Sequence, residues 1–145
     1  MADPSRAPAP ASVSVQRRIE WSDTDASGFY HNTAAFRLME AAESVLLSRL
    51  GLVEEIYGHL PRVRIEADFR RVLRFNDVVD VRLAVQGVGR SSLTYAFSIE
   101  RNGVVCVEGT IVTVLVDPEG RPSRWPAAHR ALLRRAGPQR PESIG

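Results

Sequence analysis

The sequence predicts one α+β domain in which a long helix packs against a mainly antiparallel sheet. Three observations lead to this class. Apolar and polar residues alternate in five segments, one longer segment has helical spacing of its apolar residues, and that segment falls between the first and second of the five. Because a chain of 145 residues has the usual length of one domain, a single core has to accommodate all of these elements.

The first strand is predicted from an alternation that starts at Val13. One side of this strand holds Val13, Val15, Arg17, Ile19 and Trp21. Turn-forming and acidic residues at 22–28 then predict a loop. The helix is predicted from Thr33 to Leu50, with Asn32 or Thr33 as its N-cap and Gly51 as its stop. The apolar residues that indicate it are Phe36, Met39, Leu46 and Leu50.

The remaining elements follow the helix in sequence. Strands are predicted around 63–69, 79–85, 93–99 and 105–115, and a short helix over 127–135. Asn102-Gly103 predicts a tight hairpin between the last two strands. We expect residues 1–11 to be a flexible leader, 12–136 to form the domain and 137–145 to be a flexible tail. Because the long helix is apolar on more than one side, the sheet is expected to curve around it, as in the hotdog fold.

The composition excludes several classes of protein. All 19 basic side chains are arginine, yet the formal net charge is only +2, so a nucleic-acid-binding surface is not expected. No apolar run approaches the length of a membrane span. The lone cysteine, Cys106, excludes an internal disulfide or a multi-cysteine zinc site and is expected to pack in the core. These features favour a cytoplasmic protein.

Two acids, a glycine and a histidine are concentrated between the first strand and the helix. The segment Trp21–Thr33 reads WSDTDASGFYHNT and contains the pattern D-x-D-x-x-G, with His31 and Asn32 at the helix start and Met39-Glu40 further along. This pattern resembles the acyl-CoA thioesterases of the 4-hydroxybenzoyl-CoA thioesterase family, and also acyl-carrier-protein thioesterases of the same hotdog fold. The resemblance extends over 13–116 and includes the arginine-rich turn at 69–77.

The resemblance implies that Asp25, the second acid of the pattern, is the catalytic carboxylate. It would act as a nucleophile on the thioester carbonyl or as a base for water, and the residues leave both open. Base catalysis would need a pKa raised by burial or by Asp23 nearby. The family match also gives the backbone N–H of Asn32 the role of oxyanion donor. The structural alternative is that Asp23 and Asp25 only stabilise the turn.

Further site candidates surround this pair. Gly28 lies in the matched motif, His31 is a candidate to bind substrate or orient Asp25, and Glu40 matches a family position that can face the acyl group. Glu43 lies on the apolar side of the helix, where an acid is costly unless paired. Glu43 is therefore the second candidate for the catalytic carboxylate. The alternative is that it forms an ion pair with an arginine of a neighbouring subunit. Arg71, in the arginine-rich run 62–74, is a candidate to meet coenzyme A phosphates or an acidic carrier protein.

The resemblance thus implies a thioester hydrolase for acyl-CoA or acyl-carrier-protein substrates, with polyketide or fatty acyl intermediates of bacterial secondary metabolism as candidate substrates. It implies a homodimer or homotetramer with sites between subunits, and no metal or redox cofactor. Ala34 and Ala35 stand where relatives often carry Asn and Tyr, so more space is expected near the site. Two alternatives remain open: addition of an amine to an α,β-unsaturated acyl thioester in the same pocket, and a non-catalytic acyl-binding protein.

Overall fold

A computed structural model describes residues 8–144 and contains one sheet, one long helix and two shorter helices within that range. In chain order the elements are β1 (Ala9–Arg18), a 3₁₀ turn (Trp21–Asp23), α1 (Asn32–Leu50), α2 (Val53–Ile56), β2 (Arg62–Phe69), β3 (Val78–Val88), β4 (Ser92–Arg101), β5 (Val104–Val114), α3 (Ala127–Arg135) and β6 (Ala136–Pro138). Within the described residues, no helix is long and apolar enough to cross a membrane.

The six strands form one curved sheet in the order β2-β5-β4-β3-β1-β6. All neighbours are antiparallel except β1 and β6, which are parallel. Helix α1 packs on β3 and β1, the fourth and fifth strands in this order. The expected α+β hotdog architecture is confirmed.

Helix α1 begins and ends close to the predicted bounds, and it is buried on more than one side, as predicted. The buried residues are Ala34, Ala35, Leu38, Met39, Ala42, Val45, Leu46 and Leu47. Phe36, expected in the core, is 37% exposed. A curved sheet covers a broad arc of the helix, so the buried residues do not follow one narrow stripe.

Two turns have the left-handed backbone conformation that their glycine residues predicted. Gly51 ends α1 in the left-handed region with φ of 71°, and its N–H donates to carbonyls of the last turn. Asn102 and Gly103 have φ of 50° and 78°, as the tight hairpin between β4 and β5 requires.

The ends of the domain differ from the expectation. β1 begins at Ala9, inside the predicted leader, while residues 1–7 lie outside the described part. The predicted flexible tail is wrong for 137–142, because β6 pairs with β1 and the N–H of Glu142 donates to the carbonyl of Ser14 at 3.1 Å. Backbone pairing holds this segment together with an ion pair between Arg17 and Glu142 at 2.6 Å, and its proline-rich sequence has no strand pattern that could have indicated it.

Four residues on the predicted apolar faces of strands lie at the surface instead of in the core. Trp21 starts the 3₁₀ turn after β1 has ended and is 79% exposed. On the edge strand β2, the predicted apolar face is also open: Val63, Ile65 and Phe69 are 60%, 37% and 42% exposed. Cys106, by contrast, is a buried free thiol in β5, and core packing is confirmed.

Candidate active site

The loop between β1 and α1 folds as a short hairpin that carries Asp25 at its turn. Thr24 and Tyr30 form a bridge, and the N–H of Asp25 donates to the carbonyl of Phe29 at 3.1 Å. Gly28 closes the turn with φ of 85°, a left-handed conformation that favours glycine. Gly28 therefore shapes the loop around Asp25.

Asp25 is a solvent-facing carboxylate with one occupied oxygen. Its Oδ1 accepts the backbone N–H of Ser27 at 2.8 Å and the Ser27 hydroxyl at 2.5 Å. Within residues 8–144, no hydrogen bond to its Oδ2 is found. The two bonds from Ser27, and more weakly the charge of His31, hold the pKa of Asp25 below its ordinary value. Asp25 is thus an ionised carboxylate with a free oxygen, and no neighbour raises its proton affinity.

Removal of the Ser27 hydroxyl should therefore move the pKa of Asp25. In Ser27→Ala the carboxylate loses its strongest hydrogen bond, so its pKa should rise toward the ordinary value, as followed by ¹³C-carboxyl NMR titration. Ser44→Ala, which removes a hydroxyl bonded to the Ala41 carbonyl on α1, is the matched control and should leave this titration unchanged. An unshifted Asp25 titration in Ser27→Ala would contradict this hydrogen-bond assignment.

Asp23, the first acid of the pattern, is buried and paired. Its carboxylate accepts the Glu20 N–H at 2.8 Å and two bonds from the Arg37 guanidinium, at 3.0 and 2.6 Å. Burial would raise the pKa of Asp23, but the bonds from Arg37 and Glu20 outweigh it and lower the pKa. The turn-stabilising role therefore applies to Asp23, whose charge is neutralised by Arg37 and does not raise the pKa of Asp25.

His31 is the N-cap residue of α1 and is fixed on both ring nitrogens. Nε2 lies 3.2 Å from the Ser22 carbonyl, an acceptor, so Nε2–H donates this hydrogen bond. Nδ1 forms a second hydrogen bond with the Thr33 hydroxyl. Neither Asn32 nor Thr33 is the N-cap, contrary to the expectation. The described residues show no hydrogen bond between His31 and Asp25.

Asn32 is the first residue of α1, and its backbone N–H is free. No acceptor for this N–H is found among residues 8–144, as is usual in the first turn of a helix. The N–H of His31, one residue earlier, donates to the Asp23 carbonyl at 2.8 Å. The hairpin thus ends at a free donor with the partial positive charge of a helix N-terminus.

A cavity of about 730 Å³ lies between α1, α2 and the segment that leads into β2. Glu40 and Glu43 line it, together with Ser44, Leu47, Val53, Ile56, Tyr57, Gly58, Leu60, Pro61, Arg62 and Val116. Asn32, Phe36, Glu40 and Glu43 follow each other at intervals of three or four residues, so they share one side of the helix. Ala34 and Ala35 do not line this cavity but pack in the core, so the additional space expected from them is not found there.

Glu43 makes an ion pair within its own chain. Arg62 Nη1 donates to its Oε1 at 2.8 Å, and both side chains are mostly buried. Burial and the charge of Glu43 raise the pKa of the Tyr95 hydroxyl well above its ordinary value. Tyr95 belongs to the alternation that predicts β4, and nothing in that alternation indicates that its hydroxyl lies near Glu43.

The arginine-rich run separates into paired and unpaired members. Arg62, Arg64 and Arg70 form ion pairs with Glu43, Glu66 and Glu108. In the described part of the chain Arg71 has no acidic partner and is exposed. Arg74 stacks over the Phe29 ring at 4.6 Å from its centre, beside the Asp25 hairpin. These two guanidinium groups remain available to an anion.

Comparison with known proteins assigns the family. A model of the thioesterase-like superfamily matches residues 19–133. The chain belongs to the thioesterase-like superfamily. The 1,4-dihydroxy-2-naphthoyl-CoA hydrolase of Prochlorococcus marinus (strain NATL1A) is 25% identical over 116 residues, covering 72% of this chain and 77% of the relative.

Solved structures of thioesterases agree with this membership. A thioesterase from Thermus thermophilus, complexed with coenzyme A and zinc, is 31% identical, covers 83% of this chain and 90% of its own, and superposes with a TM-score of 0.75. A predicted thioesterase from Bacillus stearothermophilus is 26% identical, with coverage of 84% and 93% and a TM-score of 0.77. The expected thioester hydrolase class is confirmed for this member of the superfamily.

Proposed function

We propose that the protein hydrolyses acyl-CoA thioesters, with the carboxylate of Asp25 as the catalytic group and the backbone N–H of Asn32 as the oxyanion donor. The observation that carries this proposal is that one short hairpin holds an ionised carboxylate with a free oxygen at its turn and leads directly into the free backbone N–H at the start of α1. The names of the relatives, which include a CoA thioester hydrolase, support coenzyme A as the carrier.

Nucleophilic attack suits this carboxylate better than base catalysis. A lowered pKa weakens a general base but keeps the nucleophile ionised. In the proposed sequence Asp25 Oδ2 attacks the thioester carbonyl carbon, and the oxyanion is held by the Asn32 N–H. Collapse breaks the carbon–sulfur bond and releases the CoA thiolate, and water then cleaves the mixed anhydride to give the free acid and regenerate Asp25.

The acyl group is proposed to extend along α1 toward the cavity. With a rise of about 1.5 Å per residue, Glu40 lies about 12 Å along the helix axis from Asn32. Glu40 therefore reaches the acyl group and Glu43, paired with Arg62, lies further along the same side. Gly28 and His31 belong to the hairpin that lies beside the bound thioester in this proposal. In this proposal Glu43 contributes to the wall of the acyl site and Asp25 performs the chemistry.

Arg71 and Arg74 are proposed to bind the anionic part of the carrier, since neither has an acidic partner among the described side chains. Arg71→Glu should raise KM for acyl-CoA several-fold with kcat unchanged. Arg90→Glu, another exposed arginine on a different loop, serves as the control. An unchanged KM in Arg71→Glu would remove Arg71 from the substrate site.

We also propose that the exposed apolar side of β2 is covered by a second copy of the chain. Val63, Ile65 and Phe69 lie on a sheet edge, where an uncovered apolar strand invites association. Ile65→Arg should convert a dimer or tetramer to smaller species in analytical ultracentrifugation. Glu66→Arg, on the opposite face of the same strand, should leave the association state unchanged. A wild-type monomer, or an unaffected Ile65→Arg oligomer, would contradict this proposal.

Thiol release from a panel of thioesters tests the proposed activity. The panel contains the same aromatic, saturated and α,β-unsaturated acyl groups on coenzyme A, on pantetheine and on an acyl carrier protein such as those of polyketide assembly. We expect release from acyl-CoA with one free acid formed per thiol, as measured by mass spectrometry. A heavier product with added amine would indicate addition chemistry instead. Tight binding without release would indicate an acyl-binding protein.

A further inference from the structure

We propose that Asp23 is a positioning residue: braced by Arg37, it sets Asp25 at a fixed place relative to the N-terminus of α1. This inference rests on the proposed function, because it assigns Asp25 and Asn32 their roles. It concerns a residue that touches neither the thioester nor the reacting atoms.

The contacts of Asp23 connect the end of β1 with two places at the start of α1. Its Oδ2 accepts the Glu20 N–H at 2.8 Å, just after β1. Both carboxylate oxygens accept bonds from Arg37, in the second turn of α1, at 3.0 and 2.6 Å. Its backbone carbonyl accepts the N–H of His31 at 2.8 Å. One residue therefore joins the end of β1, the N-cap of α1 and the helix itself.

The ion pair between Asp23 and Arg37 has a defined geometry because the Asp23 carboxylate is buried. The Asp23 side chain is only 4% exposed, whereas that of Arg37 is 44% exposed. A two-pronged guanidinium–carboxylate contact fixes orientation as well as distance. If Arg37 is removed, a buried carboxylate loses its only cationic partner within the described residues, so the loop has to rearrange to solvate it.

The Asp23–Arg37 ion pair lies next to both groups of the proposed chemistry, Asp25 and the N–H of Asn32. Asp25 is two residues beyond Asp23 and is anchored by Ser27 within its own turn. The bond from His31 N–H to the Asp23 carbonyl lies one residue before the proposed oxyanion donor, Asn32. The separation between nucleophile and donor is therefore set through Asp23 together with the bridge between Thr24 and Tyr30. Displacements of about 1 Å in such a pair can cost about 100-fold in rate.

Arg37→Met, Arg37→Lys and Asp23→Asn test this inference in full-length protein. We expect Arg37→Met and Asp23→Asn to lower kcat by about 100-fold with KM within about twofold of wild type. Arg37→Lys, which keeps the charge but loses the two-pronged contact, should recover part of the rate. The double variant should lose no more than the worse single variant. Arg82→Met, which breaks an ion pair with Glu100 on the sheet, is the control and should keep the wild-type kcat.

Amide hydrogen exchange supplies a readout that does not depend on activity. In Arg37→Met the amides of His31 and Asn32 should exchange faster, while those of β4 keep wild-type rates. Wild-type kcat and wild-type exchange in Arg37→Met would overturn the inference, as would a loss of kcat that only follows a loss of folded protein. Asp25→Asn in the same assay separates the two proposals. If only Asp25→Asn is inactive, the positioning role of Asp23 is wrong and the proposed function stands. A wild type that releases no thiol contradicts the proposed function itself.

Discussion

Asp25→Asn should lower kcat/KM for acyl-CoA hydrolysis by about 10³-fold or more, since an amide neither attacks the thioester nor takes a proton from water. The exchange keeps the size of the side chain and its ability to accept the Ser27 bonds. Because Asp25 is solvent-facing, the unfolding midpoint should stay close to that of wild type. Thiol release and thermal unfolding, measured on the same preparations, check both statements.

Glu43→Gln provides the comparison for this result. Glu43 is the other carboxylate proposed from the sequence, but it is engaged with Arg62. We expect its replacement to reduce stability more than rate, because it leaves a buried guanidinium without its partner. A collapse of turnover in Glu43→Gln with full turnover in Asp25→Asn would move the catalytic role to the helix.

Gly109→Ala should destabilise the protein by about 3 kcal/mol, near the upper end for overpacked sites. Gly109 is paired with Ala67 on β2 and Phe97 on β4. A Cβ at this position would lie 1.9 Å from the Glu66 carbonyl oxygen and 2.9 Å from the Ala67 Cα. These are backbone atoms, so the edge strand itself has to move away.

Urea unfolding at one protein concentration measures this effect, since association would otherwise change the midpoint. Gly87→Ala is the matched control. Gly87 is also a strand glycine, but a Cβ there would meet no atom within 4 Å. Its midpoint should change little, and an unchanged midpoint in Gly109→Ala would show that β2 is not held as close as described.

Much of the fold could be predicted because local patterns and tertiary packing agree. The alternation in β3, β4 and β5 reflects one face on the core, and α3 has the predicted bounds. The hairpin at Asn102 is likewise fixed by local chemistry. In these elements the residues that decide the structure are close together in sequence.

The remaining features depend on partners distant in sequence. Nothing in the sequence near Asp23 shows that its charge is met by Arg37, fourteen residues later. The attachment of 136–142 to β1 rests on backbone bonds and on an ion pair between Arg17 and Glu142, which lie far apart in sequence. On β2 the alternation identifies a strand correctly, but an exposed apolar face looks the same in sequence as a buried one.

The arrangement of Asp25 and Asn32 around a thioester is tested most directly by the crystal structure of Asp25→Asn with an acyl-CoA bound. We predict that the thioester carbonyl oxygen accepts the backbone N–H of Asn32 at about 3 Å. The side chain at position 25 should then face the carbonyl carbon, and the acyl group should extend along α1 past Glu40. A carbonyl oxygen bound away from the start of α1, or a carbonyl carbon facing Glu43, would contradict this account of the site.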